Sequence, residues 1–199
     1  MSIVTKGALI QRDLDLLAAL AAKQLVAVNV SVTTLSVDLK TKLEPRTAGP
    51  QARLRMITKL RDAGVPVGAM VAPVIPFVND HEIEQIVEAC SEAGAMAMNY
   101  VLLGLPREVR PLFEEWLDAH EPEKHQRVMA AIRDTRGGVA YRSKWHERMR
   151  GKGAVAELIR QRFNGALRKH GLADAELPKL RRDLFRPPRR IDDPQLELF

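Results

Sequence analysis

The chain has 199 residues, 46% of them hydrophobic and 28% charged, with 12 glycines and 12 prolines, a balance that excludes disorder throughout. Its one cysteine, Cys90, excludes an internal disulfide and any site that needs several thiolates from this chain. No apolar run approaches the ~18 residues that span a bilayer, and the N-terminus lacks the residue order of a signal peptide. We therefore expect a cytoplasmic protein with no membrane partner.

The net charge of +6 is concentrated in one region. Residues 1–138 carry 16 Lys and Arg against 17 Asp and Glu, whereas residues 139–190 carry 15 against 5. The last nine residues have a net charge of −3. A basic region of this kind is either a nucleic-acid footprint or a solvated helical face, and the lack of interleaved aromatic residues favours the solvated face.

The first half of the chain alternates short apolar runs with amphipathic segments. The apolar runs predict strands at 2–5, 25–32, 66–71 and 97–103. Between them the periodicity predicts helices at 14–23 and 49–63, and a third that Asn79 and Asp80 cap and that Gly94 ends. Four strands alternating with three helices predict a parallel sheet or part of a (β/α) barrel.

Beyond Pro106 the pattern is helical. We predict helices at 108–120, 124–133 and 154–170, with Trp116 in the core, and after them a Pro/Arg-rich tail that cannot fold by itself. The predicted domains are a partial barrel over 1–106, a helical C-terminal region over 107–172 and a basic tail over 173–199.

Candidate binding residues lie where the predicted strands end, because the loops of parallel α/β folds converge there. Lys6 follows the first strand and either holds a carboxylate or phosphate or is a solvated strand terminus. Asn29 and Ser31 are two residues apart on the second strand, so their side chains share one face. That pair either contacts a ligand or is satisfied by neighbouring strands, since unpaired buried polar groups cost ~1–3 kcal/mol each.

Other residues were considered for ligand binding and metal chemistry. Glu44 and Arg46 follow the second strand and either hold a ligand's amine and carboxylate or pair with each other. The five histidines show no metal-ligand spacing, so we assign none to a metal. Cys90 falls on the apolar face of a helix, which favours a buried, inert thiol over a reactive one.

Several of these segments together resemble the radical SAM proteins related to spore photoproduct lyase. The similarity spans roughly residues 2–172, and it rests on residues 2–6 (SIVTK), 28–34 (VNVSVTT), 43–47 (LEPRT), 71–76 (VAPVIP, with Asn79 and Asp80) and 100–106 (YVLLGLP). Residues 135–138 (TRGG) and 149–153 (MRGKG) also look like the region beyond the barrel in an uncharacterised bacterial branch of that group.

The resemblance implies a partial (β/α)6 barrel in which a [4Fe–4S] cluster cleaves S-adenosylmethionine to a 5′-deoxyadenosyl radical. It also implies that Lys6, Asn29, Ser31 and Arg46 lie near S-adenosylmethionine. The family's C-x3-C-x2-C cluster motif and its first two strands have no counterpart here. We therefore expect the last four strands of such a barrel, from a split or truncated gene, inactive without the cluster ligands, with DNA repair as the inherited substrate class.

The alternative function is a non-catalytic module that recruits DNA or a replication partner through the basic tail. Gln195, Leu196, Leu198 and Phe199 resemble the Gln-Leu-x-Leu-Phe peptide that docks bacterial repair factors on the replication sliding clamp. Two leucines and an aromatic ring can fill an apolar groove, or they can pack back onto the barrel's open edge. The first predicted strand, at 2–5, would be an uncovered edge of the partial barrel. Such an edge favours self-association or cover by the C-terminal segment.

Overall fold

The structure, a computed structural model, describes residues 1–139 and 147–185. Four parallel strands form one sheet in the order β1-β2-β3-β4, with Val4 opposite Asn29 and Asn29 opposite Gly68. Their bounds are β1 Ser2–Thr5, β2 Ala27–Ser31, β3 Val67–Val74 and β4 Met98–Leu102. The predicted α/β architecture, four parallel strands with helices between them, is confirmed.

Eight α-helices lie in the described part of the chain. Their bounds are α1 Leu14–Ala21, α2 Val37–Leu43, α3 Pro50–Asp62, α4 Ile83–Ala93, α5 Val109–His120, α6 His125–Asp134, α7 Glu147–Arg150 and α8 Ala154–Lys169. Short 3-10 helices are at Ala8–Asp13, Asp80–Glu82 and Pro122–Lys124. The sequence pattern predicted the longer helices within a few residues but missed α2 and the single turn of α7. The proposed domain boundaries stay a prediction.

The outer face of the sheet forms the main core. Alternate residues of the strands point to this face, and Val28, Val30 and Val67 are fully buried there against helices α3, α4 and α8. Burying a side chain of this size contributes roughly 1.5–3 kcal/mol, so the core accounts for most of the drive to fold. Trp116 is half-buried in a second core formed by α2, α5, α6 and the loop after β3.

The inner face of the sheet is covered in part by residues 172–185, which we name the C-terminal strap. Leu177 Cδ1 lies 3.3 Å from the position that a Cβ atom on Gly68 would occupy. Further along, the backbone N–H of Arg181 donates to the carbonyl of Gln24 at 2.9 Å. The strap therefore crosses the inner face near the amino ends of the strands and leaves their carboxyl ends open.

The edge of the sheet at β1 carries exposed apolar side chains. Val4 is 61% exposed and Leu9, just beyond the strand, is 81% exposed. Among the described residues β1 pairs with β2 alone, so its second edge carries no strand. Self-association through this edge stays a prediction. In residues 1–139 and 147–185 no helix combines the length and the apolar character needed to cross a membrane.

The cysteine on α4 is sealed in the core, as the sequence predicted. Cys90 has no exposed surface, and burial raises its pKa to about 12. We expect a thiol reagent at pH 8 to modify the native protein at least ~100-fold more slowly than the protein in denaturant, because both the thiolate and the access route are missing. Absorbance with a chromogenic disulfide measures this directly. Native labelling as fast as that of a free thiol would contradict the burial.

Candidate functional site

A cavity of about 420 Å³ opens where strands β1 to β3 end, and we name it the strand-end cavity. Its lining is mainly apolar, with an ammonium group and two hydroxyl groups; the residues are Val4, Thr5, Lys6, Ser31, Met70, Ala72, Pro73 and Val101. This is the position at which parallel α/β folds bind ligands. The volume lies within the range of small-molecule pockets.

Hydrogen bonds from two hydroxyl groups fix the wall of this cavity. Ser31 Oγ and Thr33 Oγ1 both donate to the carbonyl oxygen of Ala72, at 3.0 and 2.9 Å. The two residues are at the end of β2 and Ala72 is on β3, so these bonds join the two strands at the cavity. Ser31 retains its acceptor lone pairs, and they can receive a hydrogen bond from a ligand.

One carboxylate holds the loops beneath the cavity. Glu44 accepts hydrogen bonds from the Lys6 ammonium and from Arg53 Nη2 at 2.6 Å. Thr33 Oγ1 lies 2.9 Å from Glu44 and shares its one proton between this carboxylate and the Ala72 carbonyl. Arg53 is 2% exposed and also donates to the carbonyl oxygens of Ala48 and Ser31, at 2.9 and 3.0 Å. The network therefore connects the loops after β1 and β2 to helix α3.

The charge of Glu44 depends on these partners. Burial alone raises the pKa of this carboxyl, but the hydrogen bonds from Lys6 and Arg53 outweigh burial and hold the pKa below its usual value. A folded-state pKa below the unfolded value gives stability that is present above about pH 4.3 and is lost as the pH falls through the folded pKa.

We therefore expect the free energy of unfolding to fall more between pH 5 and pH 2.5 in the wild type than in the Glu44→Gln variant. The variant cannot lose a proton, so its stability lacks this component of the pH dependence. Urea titrations at a series of pH values give both curves. Parallel curves would show that the carboxylate does not stabilise the fold.

The structure brings together only some of the sequence-predicted site residues. Lys6 and Ser31 both line the strand-end cavity. Asn29 lies further from the strand ends, with its Oδ1 atom 2.6 Å from the position of a Cβ atom on Gly68. Arg46 is exposed and is not among the residues that line this cavity. The roles of all four residues toward S-adenosylmethionine stay predictions.

Two features of the site differ from the sequence interpretation. Glu44 pairs with Lys6 and Arg53, whereas one of the two sequence interpretations paired it with Arg46. Arg53 was missed, although its place on the apolar face of α3, three and four residues before Met56 and Ile57, was a signal of a buried charge.

Asn79 has a different role from the helix cap that the sequence predicted. Its side chain makes no capping bond. Instead Nδ2 donates to the carbonyls of Thr33 and Pro73, at 2.8 and 2.9 Å, and Oδ1 accepts from the N–H of Ile75 at 2.6 Å. This buried amide therefore ties the loop after β2 to the loop after β3 beside the cavity.

Comparison with known proteins finds a family match in the N-terminal part of the chain. Residues 1–90 match the radical SAM superfamily domain. The matched part runs from β1 into α4 and contributes every residue that lines the strand-end cavity except Val101. The four-stranded parallel sheet is consistent with a partial radical SAM barrel. The relationship to spore photoproduct lyase is not part of this match.

The chain is also similar to uncharacterized proteins of bacterial, viral and archaeal origin. An uncharacterized protein of Mycobacterium tuberculosis is 38% identical over 125 residues, which cover 62% of this chain and 37% of the relative. An uncharacterized protein of Acidianus two-tailed virus is 39% identical over 74 residues, 37% of this chain and 24% of its own length. An uncharacterized protein of Methanocaldococcus jannaschii is 25% identical over 126 residues, which cover 63% of this chain and 46% of the relative. The alignments thus cover less than half of each relative.

The radical SAM superfamily implies S-adenosylmethionine and an iron–sulfur cluster in complete members. The described residues do not fit the cluster, because no three His, Cys, Asp or Glu side chains come together there in a way that could hold a metal. They do fit S-adenosylmethionine, because the strand-end cavity combines an apolar wall with the Lys6 ammonium and the Ser31 hydroxyl. Gln195, Leu196, Leu198 and Phe199 lie outside the described residues, so clamp and DNA binding stay predictions.

Proposed function

We propose that this chain provides the S-adenosylmethionine-binding side of a radical SAM enzyme. The observation that carries the proposal is the strand-end cavity, which lies at the carboxyl ends of the strands and almost wholly within the residues that match the superfamily domain. S-adenosylmethionine supplies radical chemistry when it is bound beside a reduced iron–sulfur cluster. The single cysteine of the chain cannot provide the thiolates of such a cluster, so we propose that the chain alone binds the cofactor without cleaving it.

The proposed roles follow from the chemistry of the lining. Lys6 would hold the carboxylate of the methionyl group, since its ammonium reaches both the cavity and Glu44. Glu44 holds Lys6 in position through their ion pair. Ser31 would bond a hydroxyl or amino group, and the apolar surface of Met70 and Val101 would exclude water from the adenine and ribose.

The finer assignment of substrate is also a proposal. We propose a relative of spore photoproduct lyase that acts on nucleic acid. Two features of the sequence support it: the segments that resemble that group, and the surplus of 15 Lys and Arg over 5 Asp and Glu in residues 139–190.

Equilibrium dialysis of the full chain against radiolabelled S-adenosylmethionine tests the binding proposal. We expect saturable binding of the wild type, and at least ~10-fold weaker binding by the Met70→Trp variant, because the indole fills the cavity. Met96→Trp is the matched control, since Met96 is 48% exposed and lies outside the cavity. No binding by the wild type at about 1 mM cofactor, or equal binding by both variants, would refute the proposal.

A further inference from the structure

A second cavity, of about 400 Å³, lies between strand β4 and the start of helix α8. Tyr100 lines it, together with residues 150–153, Glu157 and Arg160. Tyr100 points to the outer, helix-covered face of the sheet, whereas the strand-end cavity is on the inner face. The second cavity is therefore separate from the site of the proposed function, and we name it the α8 cavity.

The start of helix α8 contributes backbone donors to the α8 cavity. The helix has 16 residues and begins after Gly153, with no side chain capping its first N–H groups. The first N–H groups of a helix have no partner within the helix, and together with the helix dipole they attract an anion. Ala156 and Glu157, in the first turn of α8, are part of the cavity wall.

An orphaned hydroxyl points independently to a ligand. Tyr100 is 1% exposed, and no described residue forms a hydrogen bond with its hydroxyl. The ring is held between the ring of Phe163, with centroids 4.8 Å apart, and the guanidinium of Arg150, 4.5 Å from the ring centroid. Buried polar groups in native proteins nearly always have a partner, so this donor calls for an acceptor inside the cavity it lines.

The charges of the lining decide which acceptor fits. Arg150, Lys152 and Arg160 bring three cationic groups, and Glu157 brings one carboxylate. Glu157 accepts from Arg160 Nη2 at 2.6 Å and from Gln161, and these hydrogen bonds lower its pKa to about 2, so it stays ionised. A second carboxylate, that of Asp134, lies next to Gly153, on the side where a Cβ atom would stand. Among the described residues Arg150 bonds to the amide oxygen of Asn99 and to no carboxylate, so its charge remains for a ligand.

From this arrangement we propose that the α8 cavity binds a phosphate group. A phosphate offers several acceptor oxygens at once, which the Tyr100 hydroxyl, the first N–H groups of α8 and the Arg150 guanidinium can approach from different directions. The group is either free phosphate or a phosphodiester of a nucleic-acid strand. This site does not depend on the strand-end cavity, so it stands or falls independently of the proposed function.

Amide NMR of the full, isotope-labelled chain titrated with inorganic phosphate, at constant ionic strength, tests the site. We expect saturable shifts at Gly151, Gly153 and the first residues of α8. Tyr100→Phe should weaken phosphate binding by about fivefold or more, because it removes one donor hydrogen bond. The same variant should leave the unfolding midpoint unchanged or raised, since it removes a buried group that lacks a partner.

Two variants that remove charges of opposite sign test the electrostatic part of phosphate binding. Arg150→Gln should weaken phosphate binding, and Glu157→Gln should strengthen it, because one removes an attractive charge and the other a repulsive one. Arg168→Gln, the same change near the far end of α8, is the matched control and should leave binding unchanged. Absence of saturable shifts at about 50 mM phosphate, or equal binding by Tyr100→Phe, would overturn the proposal.

A parallel titration with a single-stranded oligonucleotide separates the two sources of phosphate. If the oligonucleotide shifts the same amides and phosphate displaces it, the ligand is a nucleic-acid backbone, and its affinity should fall steeply with salt. If phosphate binds and the oligonucleotide leaves these amides unmoved, the ligand is a free phosphate or a small phosphate ester. Either result supports a phosphate site at α8.

Discussion

Replacing Arg53 with methionine is expected to lower the free energy of unfolding by about 3–5 kcal/mol, because it removes the buried guanidinium from the Glu44 carboxylate and leaves Lys6 as the remaining charged partner. The guanidinium also donates to two backbone carbonyls and to the hydroxyl of Thr47, and these acceptors lose their donor at the same time. Urea unfolding followed by circular dichroism measures the change.

Two further variants show whether the lost charge pair causes the effect. Arg55→Met makes the same change on the same helix at an exposed position, and we expect it to change stability by less than about 0.5 kcal/mol. Adding Glu44→Gln to Arg53→Met should restore part of the loss, because a neutral amide loses less than a carboxylate does when the guanidinium is removed. If Arg53→Met is as stable as Arg55→Met, the network does not hold the loops together.

The Asn79→Ala variant is expected to lose about 2–3 kcal/mol of unfolding free energy. Its amide is 2% exposed and serves three backbone groups, so alanine leaves the N–H of Ile75 and two carbonyls unsatisfied or dependent on water. One of those carbonyls belongs to Pro73, which lines the strand-end cavity. S-adenosylmethionine binding by this variant should therefore weaken together with its stability.

The control for this prediction is Asn99→Ala. Asn99 is exposed, and its hydrogen bond with Arg150 lies at the surface, so we expect a loss below about 1 kcal/mol. Thermal unfolding of both variants compares them under one set of conditions. Equal losses would mean that the buried amide contributes no more than a surface one.

The sheet was predictable because strands β2, β3 and β4 are each buried on at least one side over most of their length. The run from Leu25 to Val32 is apolar at nearly every position, which is typical of a strand covered by helices, and the spacing of the runs fixes the parallel order. Helix α2 was not predictable, since it spans only Val37–Leu43 and alternates lysines with apolar residues.

The sequence indicated where the candidate site lies better than it indicated which side chains contact each other there. The rule that loops converge at strand ends placed Lys6 and Ser31 near each other, and both line the strand-end cavity, while their binding roles stay predictions. Glu44 was expected near them, but its partner Arg53 is on a helix nine residues later, and a charge on an apolar face gives no information about which carboxylate it meets. Tertiary packing decides such pairs, and a single sequence does not record it.

The position of the C-terminal strap in the sequence implies that the sheet is made before the strap that covers it. On the ribosome, strands β1 to β4 are complete well before residues 172–185 have been made. Asn29 and Gly68 on the inner face are therefore first exposed to water and later covered by the strap. At roughly 5–20 residues per second, this interval lasts several seconds. During that time the inner face of the nascent sheet is open to other apolar peptides, which can compete with the strap for it.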